Sequence, residues 1–488
     1  PSTSFAASIG TPFLRLQTWW RVMPAFTDYL SRLNYLFERG KPVSDVLWYI
    51  GDELDHKPNQ RAPFPAGYKY DYCNPDVLLN RLTVSDGKVV TPEGISYRLI
   101  WIPENERMLP ETLEKLLEFA RQGVPIVGNA PVSLATLSGG AEAQRRFDAA
   151  VKALWGGGLV MQTSINEALK KLNIEPDFVV HQPAEKNNPL NVKIEGTTTP
   201  NAKNEVNDKI AEIRMYNGLT DAPLWLHRKA DNADWYFVSA PYGSGFEGEV
   251  SFNNTGEAEL WNPVTGEITP AGCIVKDGRA TLALDLVRAE AFFIVFRNNN
   301  LTTENQQKSK ETNKNKQTET NKNQKKQKET IQTIETAWTL TFPSEWGITE
   351  PLMLNELKAW KDLPLNDEGK AFSGTATYKT VFDIRKLKKG ERLQLDLGEV
   401  EMAAEVSLNG VKLCTLWTHP YILDITDAVK NGKNELTIEV TGTWFNRLVY
   451  DASQPETARK TWTLYGPEKD SPLRVSGLLG PVTLKRQL

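Results

Sequence analysis

The sequence predicts a multidomain chain, α/β plus β: a flavodoxin-like open α/β sheet, then a small β-sandwich, then a C-terminal jelly roll. Three observations carry this. Between Val43 and Leu172, near-continuous apolar runs alternate with amphipathic ones, as parallel strands covered by helices require. From about Leu224 the apolar period changes to two. Between Leu393 and Val440, alternating runs are punctuated by Asn-Gly pairs, a strong hairpin signal. At 488 residues the chain is too long for one ordinary core.

The first element is an amphipathic helix over 18–39. Trp19, Met23, Phe26, Leu30, Leu33 and Phe37 recur at helical spacing, Pro24 falls early, and Gly40 is a natural stop. The α/β domain is placed at 43–220. Its strands are Val43–Ile50, Tyr97–Ile102 and Val124–Val127. Its helices are 74–82 behind Asn74-Pro75, 109–122 with Pro110 at the start and Gly123 after the end, 147–154 and 165–172. The small sandwich is placed at 221–297, with strands at 235–238, 248–252, 258–261, 280–284 and 292–296.

Residues 298–336 are a different material, rich in Asn, Gln, Thr, Lys and Glu with no aromatic residue. Such a composition cannot bury enough surface to offset its ordering entropy, so a disordered polar linker is expected. The last domain is placed at 337–488. Leu393, Leu395 and Leu397 alternate like a half-buried strand. Ala404, Val406 and Leu408 lead into Asn409-Gly410, and Val411, Leu413 and Thr415 return. Asp424-Ile425-Thr426 and Asn431-Gly432 are further turns, and Leu436, Ile438 and Val440 form another strand. Together these read as an antiparallel jelly roll.

Bulk properties exclude several classes. A net charge of −4 points to neither nucleic acid nor an anionic membrane as partner. No apolar run is long enough to cross a bilayer. Cys73, Cys273 and Cys414 are odd in number and far apart, so buried free thiols are expected and no metal ligands. There is no G-x-S-x-G elbow, P-loop or H-E-x-x-H. Cys73, followed by Asn-Pro, reads as a helix start and not as a nucleophile after a buried strand.

The terminal pattern, a V-x-x-NG hairpin followed by a D-I-T turn, resembles the galactose-binding-like sandwich appended to many glycoside hydrolases. The earlier motifs extend the resemblance. Gly10-x-Pro12-Phe13-x-Arg15-x-x-Thr18-Trp19-Trp20, Gly40-x-x-Val43-x-Asp45-Val46-Leu47 and Tyr70-Asp71-Tyr72-x-Asn74-Pro75 resemble glycoside hydrolase family 106, the α-L-rhamnosidases. So do Leu154-Trp155-Gly156, Pro176-Asp177-Phe178, His227-Arg228 and Trp444-x-Asn446-Arg447-Leu448.

The resemblance implies a (β/α)8 catalytic barrel of roughly 250 residues. Residues 1–42 are expected to be its last loop and helix, with the rest of the barrel upstream of Pro1. It also implies an inverting hydrolysis by two glutamates, one protonating the leaving oxygen and one activating water across about 6.5–9.5 Å. Those glutamates are expected upstream of Pro1 and are unassigned here. The resemblance further implies a calcium ion that helps hold the sugar, a rhamnose-bearing (pectic) glycan as substrate, and a periplasmic or secreted location.

Within the chain, Asp52 and Glu53 follow the first strand at its carboxyl end, where open α/β sheets hold ligands. They are candidates to hold sugar or calcium, although a polar loop capping the strand is the simpler expectation. Arg15 and Gln17 lie just before the first helix, and Arg15 could bind sugar hydroxyls or a carboxylate with two prongs. Trp19 is expected in a core. Asp71 is expected to cap a turn or helix, and His227 to be a hydrogen-bonded structural residue. Trp417, His419 and Trp444 are candidates for a sugar platform in the last domain, against the simpler expectation that this domain braces the barrel. Two other functional classes stay open: a non-catalytic carbohydrate-binding module, and another exo-glycosidase such as a β-galactosidase-like enzyme.

Overall fold

The structure is a computed structural model describing residues 15–53, 64–102, 107–181, 222–241, 244–297, 330–346, 348–461, 463 and 466–487. Two compact units divide the chain. One is Asn34–Leu301, and the other joins Pro1–Leu33 with Thr302–Leu488. Among the described residues no helix is long and apolar enough to cross a membrane.

The expected first helix begins as a 3-10 turn, Thr18–Val22, and continues as α1, Met23–Phe37. Pro24 sits in its first turn, where its missing N–H costs nothing.

In the first unit, the parallel sheet has strands β1 (Val46–Tyr49), β2 (Tyr70–Cys73), β3 (Leu99–Ile102), β4 (Ile126–Gly128) and β5 (Val160–Met161). Every adjacent pair is parallel, and the order is β5-β4-β3-β1-β2. All four residues of β1 are buried, because both faces of the sheet are covered. Leu47, Tyr49, Ile100 and Ile126 pack with Leu78, Leu113, Leu116, Phe119 and Phe147, from α2 (Pro75–Asn80), α3 (Pro110–Arg121) and α4 (Gly140–Val151). Val46, Leu99 and Val127 pack on Ile165, Ala168 and Leu169 of α5 (Ile165–Lys171).

Strands β2 and β5 were not expected from the sequence, and two further local features depart from the expectation. Helix α4 starts at Gly140, ahead of the apolar signal, because its first turns are good helix formers that bury only Ala143. Between α2 and β3 stands a three-stranded antiparallel meander, Thr83–Ser85, Lys88–Val90 and Ser96–Tyr97, that the apolar pattern missed. Its first turn is Asp86-Gly87, with φ of 50° and 68°. That dipeptide is itself a type I′ hairpin signal.

The small sandwich packs a six-stranded sheet against a four-stranded one. The larger sheet is built around Leu224–Ala230, Ala233–Ser239 and Ala291–Arg297. It gains Lys41–Pro42 as an edge strand, where Pro42 needs no ladder hydrogen bond. The smaller sheet centres on Phe246–Phe252 and Arg279–Leu286, and Phe178–His181 pairs onto it. Two strands therefore reach the sandwich from outside 221–297.

In the second unit, the expected linker loses its end. Residues 298–329 lie outside the described residues, but Thr330–Thr333 forms a strand paired with Thr483–Gln487. Its β-branched residues suit an edge position. The terminal domain packs a four-stranded and a six-stranded antiparallel sheet over one core. Leu393, Leu395 and Leu397 are fully buried. Asn409-Gly410, with φ of 54° and 82°, makes the expected I′ hairpin between Ala403–Leu408 and Val411–Leu416. The Asp424 carboxylate accepts from the Thr426 N–H at 2.8 Å and fixes the D-I-T turn. Arg447 is buried and held by Glu368 and Asp451, each at 2.8 Å, which accounts for the Trp444-to-Leu448 motif.

Candidate functional site

Asp52 sits where expected, past the carboxyl end of β1, but its oxygens are already engaged. Oδ1 accepts from the Tyr49 hydroxyl and the Thr112 hydroxyl, each at 2.6 Å, and Oδ2 accepts from the Leu109 N–H at 2.8 Å. It caps the start of α3, and burial, with the Asp52 charge beside it, drives the Tyr49 phenol pKa far up. Glu53 makes a two-pronged surface pair with Arg107 at 2.7 and 3.2 Å.

Asp71 accepts from the Tyr97 hydroxyl at 3.1 Å and caps nothing. The helix cap is Asn74, whose Oδ1 takes the Val77 N–H at 2.9 Å. Cys73 corrects the sequence reading: it ends a strand, just before a helix. Burial pushes its thiol up to about 12, so the position alone does not make a nucleophile.

In the second unit, Arg15 and Gln17 stand in the turn before the 3-10 element, Arg15 exposed and Gln17 half-buried. The Trp444 indole donates to the Leu16 carbonyl at 2.7 Å, so the fold brings Trp444 to that turn. Trp417 goes elsewhere. Its ring meets Phe26 and Tyr29 of α1 edge-on, both at 5.1 Å, which is packing. His419 lies against Tyr421 at 4.8 Å and 3.8 Å from the Glu399 carboxylate. Trp417, His419 and Trp444 thus make their contacts with three different sets of partners. Trp19 is half-buried.

A polar cavity was not foreseen. It lies in the first unit, at the amino ends of the parallel strands, beside the small sandwich. Its volume is about 800 Å3. Asp45 immediately precedes β1, Arg98 precedes β3, and Asp177 precedes the strand Phe178–His181. His227 and Asp234 come from the sandwich hairpin, and Lys88, Gly94 and Ser96 from the unforeseen meander.

Four of these side chains, Asp45, Asp177, His227 and Asp234, are buried. Asp177 is fully engaged: it accepts from the Tyr236 hydroxyl at 2.7 Å and meets His227 Nδ1 at 2.8 Å. A carboxylate there requires His227 Nδ1 to carry a proton. The His227 ring stacks on Tyr236 at 4.0 Å. Burial drives the Tyr236 phenol pKa far up, with Asp177 adding to it, so Tyr236 stays a donor. Asp45 lies 3.6 Å from Arg98, and Asp234 lies 3.6 Å from Lys229 and accepts from Asn254 at 3.2 Å. Among the described residues, Asp45 Oδ2, His227 Nε2 and Asp234 Oδ1 have no hydrogen-bond partner. Burial, the largest cause, raises the Asp45 carboxyl to about 6 against the pull of Arg98.

Asp45, Asp177 and His227 all stand in the sequence motifs, but spacings of 132 and 50 residues gave no hint that they meet. Only the Asp-Gly turn could have pointed to the meander that completes the cavity. Among the described residues no three Asp, Glu, His or Cys side chains are grouped to hold a metal ion.

With the fold in view, comparison shows that the chain is similar to glycoside hydrolases. Residues 1–193 match the family 106 model, described as alpha-L-rhamnosidase, and residues 360–474 match the galactose-binding domain-like model of glycosyl hydrolase family 2. The solved rhamnosidase of Novosphingobium sp. PP1Y is 28% identical with a TM-score of 0.78, over 98% of this chain and 42% of that one. A provisionally named beta-glucuronidase of Formosa agariphila is 24% identical, over 97% of this chain and 58% of that one. The chain therefore spans about half the length of the relatives it matches.

Proposed function

We propose that this chain serves as the accessory region of an inverting α-L-rhamnosidase that acts on pectic or other rhamnose-bearing glycans in the periplasm or outside the cell. The observation that carries this is the likeness to the Novosphingobium rhamnosidase, which runs through nearly the whole chain. The order of the parallel strands, with the second strand outside the first, also favours the flavodoxin-like reading of the α/β sheet.

On this reading the catalytic acid and base lie outside these 488 residues. The commitments of Asp52 to a helix start and of Glu53 to Arg107 support it. Arg15, Gln17 and Trp444, gathered at one turn, are the residues of this chain that we assign to sugar contact. The test is a panel of aryl glycosides against the complete gene product. Release from the α-L-rhamnoside, with inversion seen by proton NMR, is expected. The Formosa relative's name favours one alternative: release from the β-D-glucuronide with silence on the rhamnoside would overturn the proposal.

A further inference from the structure

We infer that two basic turns at one end of the terminal domain form a docking surface for an acidic polysaccharide, a polyuronate chain held through its carboxylates. The turns are 385–390, which follows the strand Thr375–Ile384, and 428–433, which runs into the strand Gly432–Thr441. They lie side by side, because Asp383 pairs with Lys433 and Ile384 with Gly432 in the ladder. Leu387, Ala428 and Val429 pack on the same core beneath them. The first turn carries Arg385, Lys386, Lys388 and Lys389, the second carries Lys430 and Lys433, and neither contains an acidic residue. All six side chains are exposed.

The flanking acids are Asp383, Glu391 and Asp427. Glu391 is buried and already engaged: it accepts from Arg486 at 3.4 Å and from the Lys388 N–H at 2.8 Å, and lies 3.8 Å from Arg385. Among the described residues, no carboxylate forms an ion pair with any of the five lysines. Positive charge is therefore gathered here in a chain whose net charge is −4. The backbone beneath it is fixed by buried polar groups. Asn434, fully buried, accepts from the Lys430 N–H at 2.8 Å and donates to the Lys430 and Gly432 carbonyls at 2.8 and 2.9 Å. Asn409 donates to the Ala428 carbonyl at 3.3 Å and to Asn434 at 2.9 Å. The Glu391 N–H donates to the Lys388 carbonyl at 3.0 Å. Cations on a fixed backbone lose less freedom on binding than cations on a loose one.

The occupant must carry several negative charges along its length. Neither turn has an aromatic side chain on which a base could stack, which disfavours a single-stranded nucleic acid. Five of the six cations are lysines, point charges on flexible stems, which suit carboxylates strung along a chain. The choice of a glycan as that chain rests on the glycan-hydrolase reading above.

The experiment is titration calorimetry on the whole 488-residue chain. The probe is a short polygalacturonate, with its methyl ester as the neutral control and oligothymidylate as the nucleic-acid control. Saturable binding to polygalacturonate alone is expected, weakening steeply as salt rises from about 0.05 to about 0.5 M. The variant Lys386→Gln/Lys388→Gln/Lys389→Gln/Lys430→Gln removes no contact that holds the fold, which circular dichroism checks. It is expected to bind about tenfold or more weakly, since each exposed charge contact adds a few tenths of a kcal/mol. Lys322→Gln/Lys325→Gln/Lys326→Gln/Lys328→Gln makes the same change of charge in the polar segment and is expected to bind as the parent does. No saturable binding to polygalacturonate, binding unaffected by the four substitutions in the turns, equal binding of the methyl ester, or tighter binding of oligothymidylate would each overturn the inference. The aryl-glycoside panel uses small uncharged rhamnosides on the complete gene product, so either result can fail while the other stands.

Discussion

At the scale of single residues, the two acidic positions that bracket β1 do opposite things. Asp52, past its carboxyl end, is saturated with donors. Asp45, before its amino end, is buried, and its Oδ2 has no hydrogen-bond partner among the described residues. Asp52→Ala is expected to cost about 2–3 kcal/mol in urea unfolding, from a lost cap plus two stranded hydroxyls. A loss of activity at unchanged stability would instead give Asp52 a role at the substrate. Asp45 bears on pH. Its carboxyl is raised from 3.8 to about 6, so between those values the folded state holds more protons than the unfolded one. Its stabilising contribution is present below about pH 4 and is lost as pH rises through about 6, up to about 3 kcal/mol. Asp45→Asn should therefore gain stability relative to the parent as pH rises from 4 to 7, measured as the difference in Tm. A pH-independent difference would contradict the burial argument.

At the scale of elements, turns were read well where the dipeptide was taken as the signal and missed where only apolar periodicity was followed. Asn409-Gly410 was legible because both residues need φ > 0, and both have it. A Cβ at Gly410 would meet nothing within 4 Å, so the strain of Gly410→Val is purely in the backbone. It should cost about 1–2 kcal/mol without altering the core. A neutral effect would mean the hairpin turns otherwise. The Asp86-Gly87 meander carries the same signal on strands too short and polar to show a period. With it went three lining residues of the cavity, Lys88, Gly94 and Ser96. Arg447 was quoted in a motif, but its burial between Glu368 and Asp451 belongs to tertiary structure alone. Arg447→Ala strands buried charge and should cost about 3–5 kcal/mol.

At the scale of the molecule, the change from alternating strands and helices to strands alone was legible, because strand period and helix period differ. Two things were not. The small sandwich recruits Lys41–Pro42 and Phe178–His181 from distant sequence, so its borders are not contiguous. The first 33 residues group with the terminal domain, through Phe26 and Tyr29 on Trp417 and Arg21 on Glu405 at 3.2 Å. A fragment of residues 330–488 should therefore show a solvent-exposed Trp417 and lose about 2–4 kcal/mol against the same unit with residues 15–33 restored. Tryptophan fluorescence and urea titration read both effects. The candidate site divides the same way. Asp52 and Glu53 could be placed on a strand end from sequence, but what fills their bonds could not. The measurement that bears most directly on the account is turnover of an aryl α-L-rhamnoside by the 488-residue chain alone, folded by circular dichroism, with and without calcium. The account predicts a folded and silent chain, beside an active complete gene product. Turnover by the chain alone would place the acid and base among these residues and contradict it.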